Sequence, residues 1–599
     1  MTETPDILVS GELDEELSIV VEKAFTLGGE MMDAGDFAEA ARVFAGLTEL
    51  VPDNADVHNM LAAAFSASGN FSDAEKPLRQ AIKLAPENTE YRMNLGAVYL
   101  TMGRLRKAMQ EYASVMRVDA SDMEAKYQYA STCRARGRKD EFEAQLREIL
   151  ETDPDHFSAK NDFGCHLIQT NRLDEGIGFL ESILDEGSKN AVLLSNLGNA
   201  YLIKNRLEEA REMYLRAIVA DPSAPSPHVG VATTERHLGL IDQALEHGKK
   251  AMGLNPGDPM VLNLMGTIRR EAGQYDAAMR DFNKAIESDP HNAPAKTNRA
   301  LLNLLLGNWQ DGFTEYEARR DDPTYPKAQL TAPRPMWDGA PLEGRSVVCY
   351  AEQGFGDAIQ FCRWIGTIED SGGMASLLVP SALKRLFEGL DPQVPVFELG
   401  EGVPDVDLIL PLMSLPHIVG LSGPDDVSGK AYLKAPDAHD DLRHALGDAK
   451  VKVGINWQGS PLHKEDRKRS IDPNQLAPLF AMDGIEFVSL HFGAQDSRLP
   501  EGLRDIGSHI SDFADAASAV EELDLVISVD TATVHLAGAL GVPTWCLVPF
   551  VPDWRWGLKG NTACWYDSLR LFRQAELGDW SGVIEMVKSA LSEFLADRD

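Results

Sequence analysis

An aspartate, two threonines and a histidine follow one short apolar run near the C-terminus. The run DLVISV is followed by Asp530, and Thr531, Thr533 and His535 come next, where a helix is expected to begin. Free backbone N–H groups and the helix dipole favour an anion at such a position. The hydroxyls and the imidazole can add donors to a phosphate. In the alternative interpretation, Asp530 only caps the helix and His535 packs in the core.

A second group of candidate residues surrounds the apolar run VKVGINW. Trp457, Gln458 and Gly459 stand at the tip of this predicted strand and are expected to face a cleft. The loop that follows is basic within an acidic protein, and it contains Lys464, Arg467, Lys468 and Arg469. Charge-assisted hydrogen bonds from such a cluster could clamp a phosphate. A solvated charged loop is the alternative.

Two further motifs carry polar and aromatic residues between predicted elements. EQGFGDAIQF places Glu352, Gln353, Gly354, Gly356 and Asp357 between a strand and a helix that Asp357 could simply cap. VPDWRWGLKGN places Trp554 and Arg555 on a loop after the last recognisable strand. This loop suits stacking on a ring or contact with an anion, and an aromatic anchor between lobes is the alternative.

Short apolar runs alternating with helical stretches must position these motifs. The runs include VVCYA, ASLLVP, VDLILP, VKVGINW, EFVSLH, DLVISVD and TWCLVP. Such runs, buried on both faces, are typical of parallel α/β sheets. The polar stretch DAHDDLRHALGDAK interrupts them, which predicts two α/β halves that face a cleft.

The N-terminal half has a period of 34 residues. Gly35, Gly69, Gly103 and Gly137 set a register that continues through Asn171 and Asn205 to Gly239, Gly273 and Gly307. A period of about 34 residues is typical of tetratricopeptide repeats, which are stacked helix pairs that form a binding surface for another polypeptide. Small residues recur eight positions into each repeat and aromatic residues at position 24, as expected where two helices cross closely.

Three asparagines share one position in this period: Asn94, Asn196 and Asn298. They resemble a partial version of the asparagine ladder of protein O-GlcNAc transferases, in which amides hold the backbone of a client. The alternative is that they solvate the inner face of the repeats.

The composition excludes several classes of partner. The net charge of −36 repels nucleic acid and anionic membranes. No apolar run is long enough to span a bilayer, and the acidic N-terminus lacks the basic region of a secretory signal. The six cysteines are scattered, which fits a reducing cytoplasm, and no zinc-binding spacing occurs. We therefore expect a cytoplasmic protein without a membrane span.

EQGFGDAIQF followed by DTATVHLAGALGVP resembles the glycosyltransferase family that includes the bacterial heptosyltransferases. The resemblance implies a metal-independent GT-B fold without a cofactor. It places the nucleotide sugar on the C-terminal lobe and makes Asp357 the base toward an acceptor hydroxyl, with Glu352 as the alternative. The predicted order is an acidic segment at 1–20, nine tetratricopeptide repeats at 21–326, a proline-rich connector at 327–344 that docks through Trp337, an acceptor lobe at 345–441 and a nucleotide-sugar lobe at 442–599.

The joined layout resembles bacterial flagellin glycosyltransferases. This implies that the repeats bind flagellin and that the cleft transfers a sugar to Ser or Thr from a CMP-nonulosonic acid, such as pseudaminic or legionaminic acid. One alternative is a transferase that uses a UDP- or ADP-linked sugar on a different protein or glycan. Another is a scaffold or chaperone with a non-catalytic transferase-like domain.

Overall fold

The computed structural model describes residues 15–185, 189–325, 334–390, 393–401, 405–460, 466–491 and 499–598. The chain forms two compact units, Met1–Ala220 and Asp221–Asp599. The last repeats therefore belong to the same unit as the parallel sheets. The change near residue 326 separates two kinds of secondary structure rather than two compact units.

Helices follow the predicted 34-residue period. In the first unit they are α1 (Glu15–Ala34), α2 (Phe37–Leu50), α3 (Ala55–Ala67), α4 (Phe71–Leu84), α5 (Thr89–Thr101), α6 (Leu105–Val118), α7 (Met123–Ala135), α8 (Lys139–Thr152), α9 (Phe157–Gln169), α10 (Leu173–Glu181), α11 (Ala191–Ile203) and α12 (Leu207–Ala220). In the second unit they are α13 (Pro225–His237), α14 (Ile241–Leu254), α15 (Pro259–Glu271), α16 (Tyr275–Ser288), α17 (Ala293–Leu305) and α18 (Trp309–Tyr316), with a 3-10 helix at Glu317–Asp321.

The periodic residues have steric roles in these helices. The turn between two helices of a repeat needs a left-handed residue, with φ of +81° at Gly35 and 65° at Asn171. A Cβ atom added to Gly96 would lie 2.5 Å from the ring of Tyr112. The predicted small and aromatic positions therefore pack against each other, and only a small residue allows that approach.

Two parallel sheets follow the repeats. The first contains β1 (Ser346–Tyr350), β2 (Met374–Val379), β3 (Val396–Glu398) and β4 (Leu408–Pro411), in the order β3-β2-β1-β4. The second contains β5 (Lys452–Asn456), β6 (Glu486–Ser489), β7 (Leu503–Asp505), β8 (Leu525–Val529), β9 (Thr544–Val548) and β10 (Leu569–Arg573), in the order β10-β9-β8-β5-β6-β7. The second order is that of a doubly wound fold, 3-2-1-4-5-6, and the first has the order of its first four strands.

Helices connect the strands. They are α19 (Phe355–Phe361), α20 (Thr367–Asp370), α21 (Ser381–Phe387), α22 (Leu415–Ile418), α23 (Asp440–Leu446), α24 (Asp466–Arg469), α25 (Ala477–Phe480), α26 (Phe513–Glu521), α27 (Ala532–Leu540) and α28 (Trp580–Ala596). Short 3-10 helices span Cys362–Trp364, Leu412–Ser414, Pro424–Asp426, Pro473–Leu476, Gly507–His509 and Trp554–Trp556. Among the residues that the structure describes, no helix combines the length and apolar character needed to cross a bilayer.

One hydrophobic core in the second unit includes residues from the last repeats and the sheets. Trp309 of α18 stacks on Trp565, with ring centroids 5.1 Å apart. Residues 327–333 of the predicted connector lie outside the described residues. Its later part pairs Met336 with Ile409 of β4 and buries Trp337 in this core. The repeats and the sheets therefore share the burial that stabilises them.

We predict that residues 221–599 unfold cooperatively, whereas residues 345–599 alone are strongly destabilised. Removing α18 exposes the apolar surface that Trp309 and Phe313 cover, and burying each such side chain contributes about 1.5–3 kcal/mol. Thermal melts followed by circular dichroism test this prediction. Equal melting temperatures for the two fragments would contradict it.

Candidate functional site

The candidate residues of the second sheet meet where its strand order reverses. Residues Trp457 to Gly459 follow β5, and Asp530 follows the neighbouring strand β8. The side-chain amide of Asn456 donates to Thr531 Oγ1 at 3.1 Å and to Thr533 Oγ1 at 3.0 Å. Crevices at such a reversal are the usual ligand sites of open α/β sheets. The fold thus joins two segments that are distant in sequence.

Trp457 does not face a cleft, and that prediction is wrong. Its side chain is 2% exposed and lies in the core of the second sheet, with its ring centroid 5.4 Å from that of His491. Gln458 and Gly459 are partly exposed. Only these two residues of the predicted strand tip are therefore accessible.

The four basic residues have different environments. Lys464 lies outside the described residues, and Arg467 is exposed. Lys468 forms an ion pair with Glu271 of α15, with 2.7 Å between Nζ and Oε2, rather than standing free to clamp a phosphate. Arg469 donates to the backbone oxygen of Asp530 at 2.9 Å. Arg469 is thus the described basic residue that reaches the strand-order reversal.

His535 is buried and neutral in this arrangement. Its Nδ1 lies 2.9 Å from the hydroxyl of Tyr566, and its ring stacks on Trp556. Burial lowers the pKa of His535 well below its ordinary value, and nearby arginines, Arg555 first among them, lower it further. The alternative in which His535 packs in the core describes this side chain.

Asp530 has an unusual proton affinity. Burial, followed by repulsion from the carboxylate of Asp553, raises the pKa of Asp530 to about 6. A hydrogen bond from the indole of Trp556 opposes this shift, followed by attraction to Arg469 and Arg555. The Asp530 carboxyl therefore changes charge close to neutral pH.

The carboxylate of Glu352, beside the first sheet, already accepts hydrogen bonds at both oxygens. Glu352 follows β1, and both its carboxylate oxygens accept from Arg319 of the last repeat, at 2.7 and 3.2 Å. Arg319 also donates to Ser414, which follows β4, and the hydroxyl of Tyr325 donates to Glu352. The Glu352 side chain is 0% exposed, whereas that of Asp357 is 21% exposed, so an acceptor hydroxyl can reach Asp357 more easily than Glu352. Gln353, next in the chain, donates to the hydroxyl of Tyr316 at 3.1 Å.

Asp357 both helps to close the first turn of α19 and contacts the other sheet region. One carboxylate oxygen accepts from the backbone N–H of Gly354 at 3.1 Å. The other accepts from Arg555, whose guanidinium also donates to Asp553 at 2.9 Å and to Gln360. Asp357 is therefore the third residue of α19 and not its N-cap, which is Gly354, although its carboxylate helps to close the first turn. Its role as base stays a prediction.

The two motifs that carry the family resemblance touch each other. A Cβ atom on Gly356 of α19 would lie 2.8 Å from His535 Cδ2 and 3.3 Å from the Cα atom of Ala532 in α27. The beginnings of these two helices are therefore in contact, and the absence of a side chain at Gly356 permits it.

The loop with Trp554 serves as an aromatic anchor. Trp554 is 6% exposed and makes edge contacts with Trp309 and Phe313 of α18 and with Trp565. Trp554 is therefore an aromatic anchor, but it packs against the last repeat rather than between the lobes as the second alternative had it.

Several site residues escaped the sequence reasoning. Asn456 could have been found, because it ends the strand before a candidate segment. Arg319 carries no motif signal, whereas Gln360 lies within EQGFGDAIQF but was not singled out. The Nε2 atom of Gln360 is a buried donor without an acceptor among the described residues.

The predicted groove asparagines pair across consecutive repeats. Each donates its side-chain amide to an asparagine 35 residues earlier: Asn94 to Asn59 at 2.9 Å, Asn196 to Asn161 at 3.0 Å and Asn298 to Asn263 at 2.9 Å. One amide hydrogen of each predicted residue is therefore used to join neighbouring repeats.

Comparison with known proteins identifies the repeats. Models of the tetratricopeptide repeat family match residues 31–98, 67–128, 161–225, 195–259 and 263–326. The N-terminal half is a tetratricopeptide-repeat region. Protein FlbA from Caulobacter vibrioides is 26% identical over 429 residues, which cover 65% of this chain and 71% of that protein. The aligned 65% of this chain is a larger share than the tetratricopeptide repeats occupy, so the alignment extends beyond the repeats.

Shorter matches involve the tetratricopeptide repeats. The TPR repeat-containing thioredoxin TDX of Arabidopsis thaliana is 27% identical over 77 residues, 13% of this chain and 20% of that protein. Among solved structures, a tetratricopeptide repeat protein from Parabacteroides merdae is 19% identical, with a TM-score of 0.35, and covers 41% of this chain and 98% of that one. PilW, a type IV pilus biogenesis factor, is 19% identical, with a TM-score of 0.33, and covers 35% and 97%.

We predict that Gly356→Ala lowers the free energy of unfolding by about 1–3 kcal/mol, the usual cost of overpacking. The added methyl group meets the backbone of α27, which cannot rotate away. Urea titration measures the change. The control is Gly253→Ala in α14, where a Cβ atom would meet nothing within 4 Å. A loss at Gly253 equal to that at Gly356 would contradict the contact.

The raised pKa of Asp530 predicts that the stability of the folded protein depends on pH. An unfolded aspartate has a pKa of about 3.9, so between about pH 4 and pH 6 the folded protein keeps a proton that the unfolded chain has released. The contribution of Asp530 to stability therefore falls as pH rises through this window and is constant above it. Asp530→Asn should gain stability relative to the wild type between pH 4.5 and pH 7.5. Urea titration at pH 4.5 and pH 7.5 measures the free energy of unfolding of both proteins. An equal change in that free energy between the two pH values in wild type and variant would contradict the prediction.

Proposed function

We propose that this chain is a protein glycosyltransferase with a GT-B arrangement. The observation that carries the proposal is the contact of two helix beginnings, α19 and α27, at strand-order reversals of two parallel sheets. Arg555 lies beside them, between the carboxylates of Asp357 and Asp553. A cleft built from two such sheets suits a nucleotide donor on one side and an acceptor on the other.

The donor is proposed to bind at the second sheet. Backbone N–H groups at the start of α27, the hydroxyls of Thr531 and Thr533, and the guanidinium of Arg469 are suited to phosphate oxygens. They would stabilise the negative charge that develops on the phosphate when its bond to the sugar breaks. The buried Nε2 donor of Gln360 would be satisfied by an oxygen-rich ligand.

The acceptor is proposed to be a Ser or Thr hydroxyl of a protein held by the repeats. Its oxygen attacks the anomeric carbon of the sugar, and Asp357 takes the hydroxyl proton. The flagellin client and the CMP-nonulosonic acid donor rest on the resemblance to bacterial flagellin glycosyltransferases. The FlbA alignment supports a relative that shares more than the tetratricopeptide repeats.

The test is to incubate the purified protein with flagellin and CMP-, UDP- or ADP-linked sugars. Release of the nucleotide and a mass increase of flagellin, both dependent on the two substrates, are expected with a CMP-nonulosonic acid. If the sugar is transferred only from a UDP- or ADP-linked donor, the proposed CMP-nonulosonic acid donor is wrong and that donor takes its place. No release and no mass increase with any donor would favour a non-catalytic scaffold.

We predict that Asp357→Asn lowers transfer about 10²–10⁴-fold, the usual contribution of a general base, while folding and client binding are unchanged. The amide oxygen of asparagine can still accept from the backbone N–H of Gly354, but asparagine cannot take a proton. Initial rates of flagellin modification measure the effect.

The matched control is Asp553→Asn, which removes the other carboxylate partner of Arg555. An equal loss in both variants would assign the effect to the arginine contacts rather than to a base. A near wild-type rate for Asp357→Asn would make Asp530, with its pKa near neutrality, the next candidate, because Glu352 is already bonded to Arg319.

A further inference from the structure

A buried carboxylate of the repeats contacts the sheet region next to the candidate donor site. Glu271 ends α15, and its side chain is 4% exposed. One of its oxygens accepts from Arg236 of α13 at 2.6 Å, and the other accepts from Lys468 of α24 at 2.7 Å. Residues of two repeat helices and of the sheet region thus meet at one carboxylate.

The helix that carries Lys468 lies against both segments of the candidate donor site. Arg469, its next residue, donates to the backbone oxygen of Asp530 at 2.9 Å and to Asp466 at 3.1 Å. A Cβ atom on Gly459 would lie 2.2 Å from Asp466 and 2.5 Å from Arg469. A shift of α24 would therefore move the groups that follow β5 and β8.

The electrostatics make this contact hard to replace. Glu271 accepts charge-assisted hydrogen bonds from two cations in a poorly solvated place, and such bonds are stronger than those between neutral groups. Glutamine keeps the size of Glu271 but lacks its negative charge, and its NH2 group cannot accept from either cation, so it holds Lys468 less firmly.

We infer that Glu271 is a positioning residue for the nucleotide phosphate, acting through Lys468 on α24. The inference rests on the proposed function of the donor site. It means that phosphate binding by the sheet region depends on a helix of the repeats.

The test uses full-length protein and CMP as the probe. Glu271→Gln should weaken the CMP affinity measured by calorimetry about tenfold, a change that corresponds to about 1.4 kcal/mol. The control is Asp281→Asn, which breaks a similarly buried pair with Arg269 inside the repeats and should leave the affinity unchanged. Lys468→Met should match Glu271→Gln, and the double variant should be no weaker than either single one, because both act through one contact.

Hydrogen exchange provides a readout that does not require a ligand. Glu271→Gln should speed amide exchange in residues 456–459 and 530–533, whereas Asp281→Asn should not. Wild-type affinity and exchange in Glu271→Gln and Lys468→Met would overturn the inference. If wild-type protein binds no CMP, the donor proposal fails, and the exchange result still decides whether Glu271 positions these segments.

Discussion

Charge buried near the sheets is neutralised by side chains from the repeats, and the arrangement of the second unit depends on this compensation. Arg319 holds Glu352 beside the first sheet, and Glu271 holds Lys468 beside the second. A buried ion that loses its partner costs about 3–5 kcal/mol. The last repeats therefore belong to the architecture of the sheet region, which agrees with the position of the boundary between compact units.

A steric device works at two levels of this protein. Within the repeats, glycine lets an aromatic ring approach the backbone of the facing helix, as at Gly96 and Tyr112. Between the two sheets, Gly356 lets α19 touch α27. In both places a single added carbon meets atoms already in contact distance, so interior packing sets the geometry closely. The close approach of α19 to α27 therefore depends on the small size of Gly356 as much as on hydrogen bonds.

The candidate site combines cations and carboxyl groups in a poorly solvated region. Arg555 bonds to Asp357 and Asp553, and Arg469 bonds to the backbone of Asp530. Burial keeps His535 neutral and raises the pKa of Asp530. Groups with perturbed proton affinity cluster at functional sites more often than elsewhere. The perturbed pKa values of Asp530 and His535 therefore support a functional site at this place in the fold.

The sequence by itself determined the elements and their order. The 34-residue period predicted the repeat helices, their left-handed turns and their small-to-aromatic contacts, because each of these depends on residues within one repeat. The apolar runs predicted two regions of parallel strands, because burial on both faces leaves a local pattern. The motifs marked Asp357 and Asp530, and the structure brings their helices together.

Tertiary structure decided what each side chain does. The local sequence suggested that Trp457 faces a cleft, but it lies in the core. It suggested Glu352 as a base and Lys468 as a phosphate clamp, but they form ion pairs with Arg319 and Glu271. The partner in each ion pair comes from the repeats, at least 33 residues away in the chain. Short-range pattern carries no information about such a partner, so the electrostatic role of a residue appears only when the fold places the opposite charge beside it.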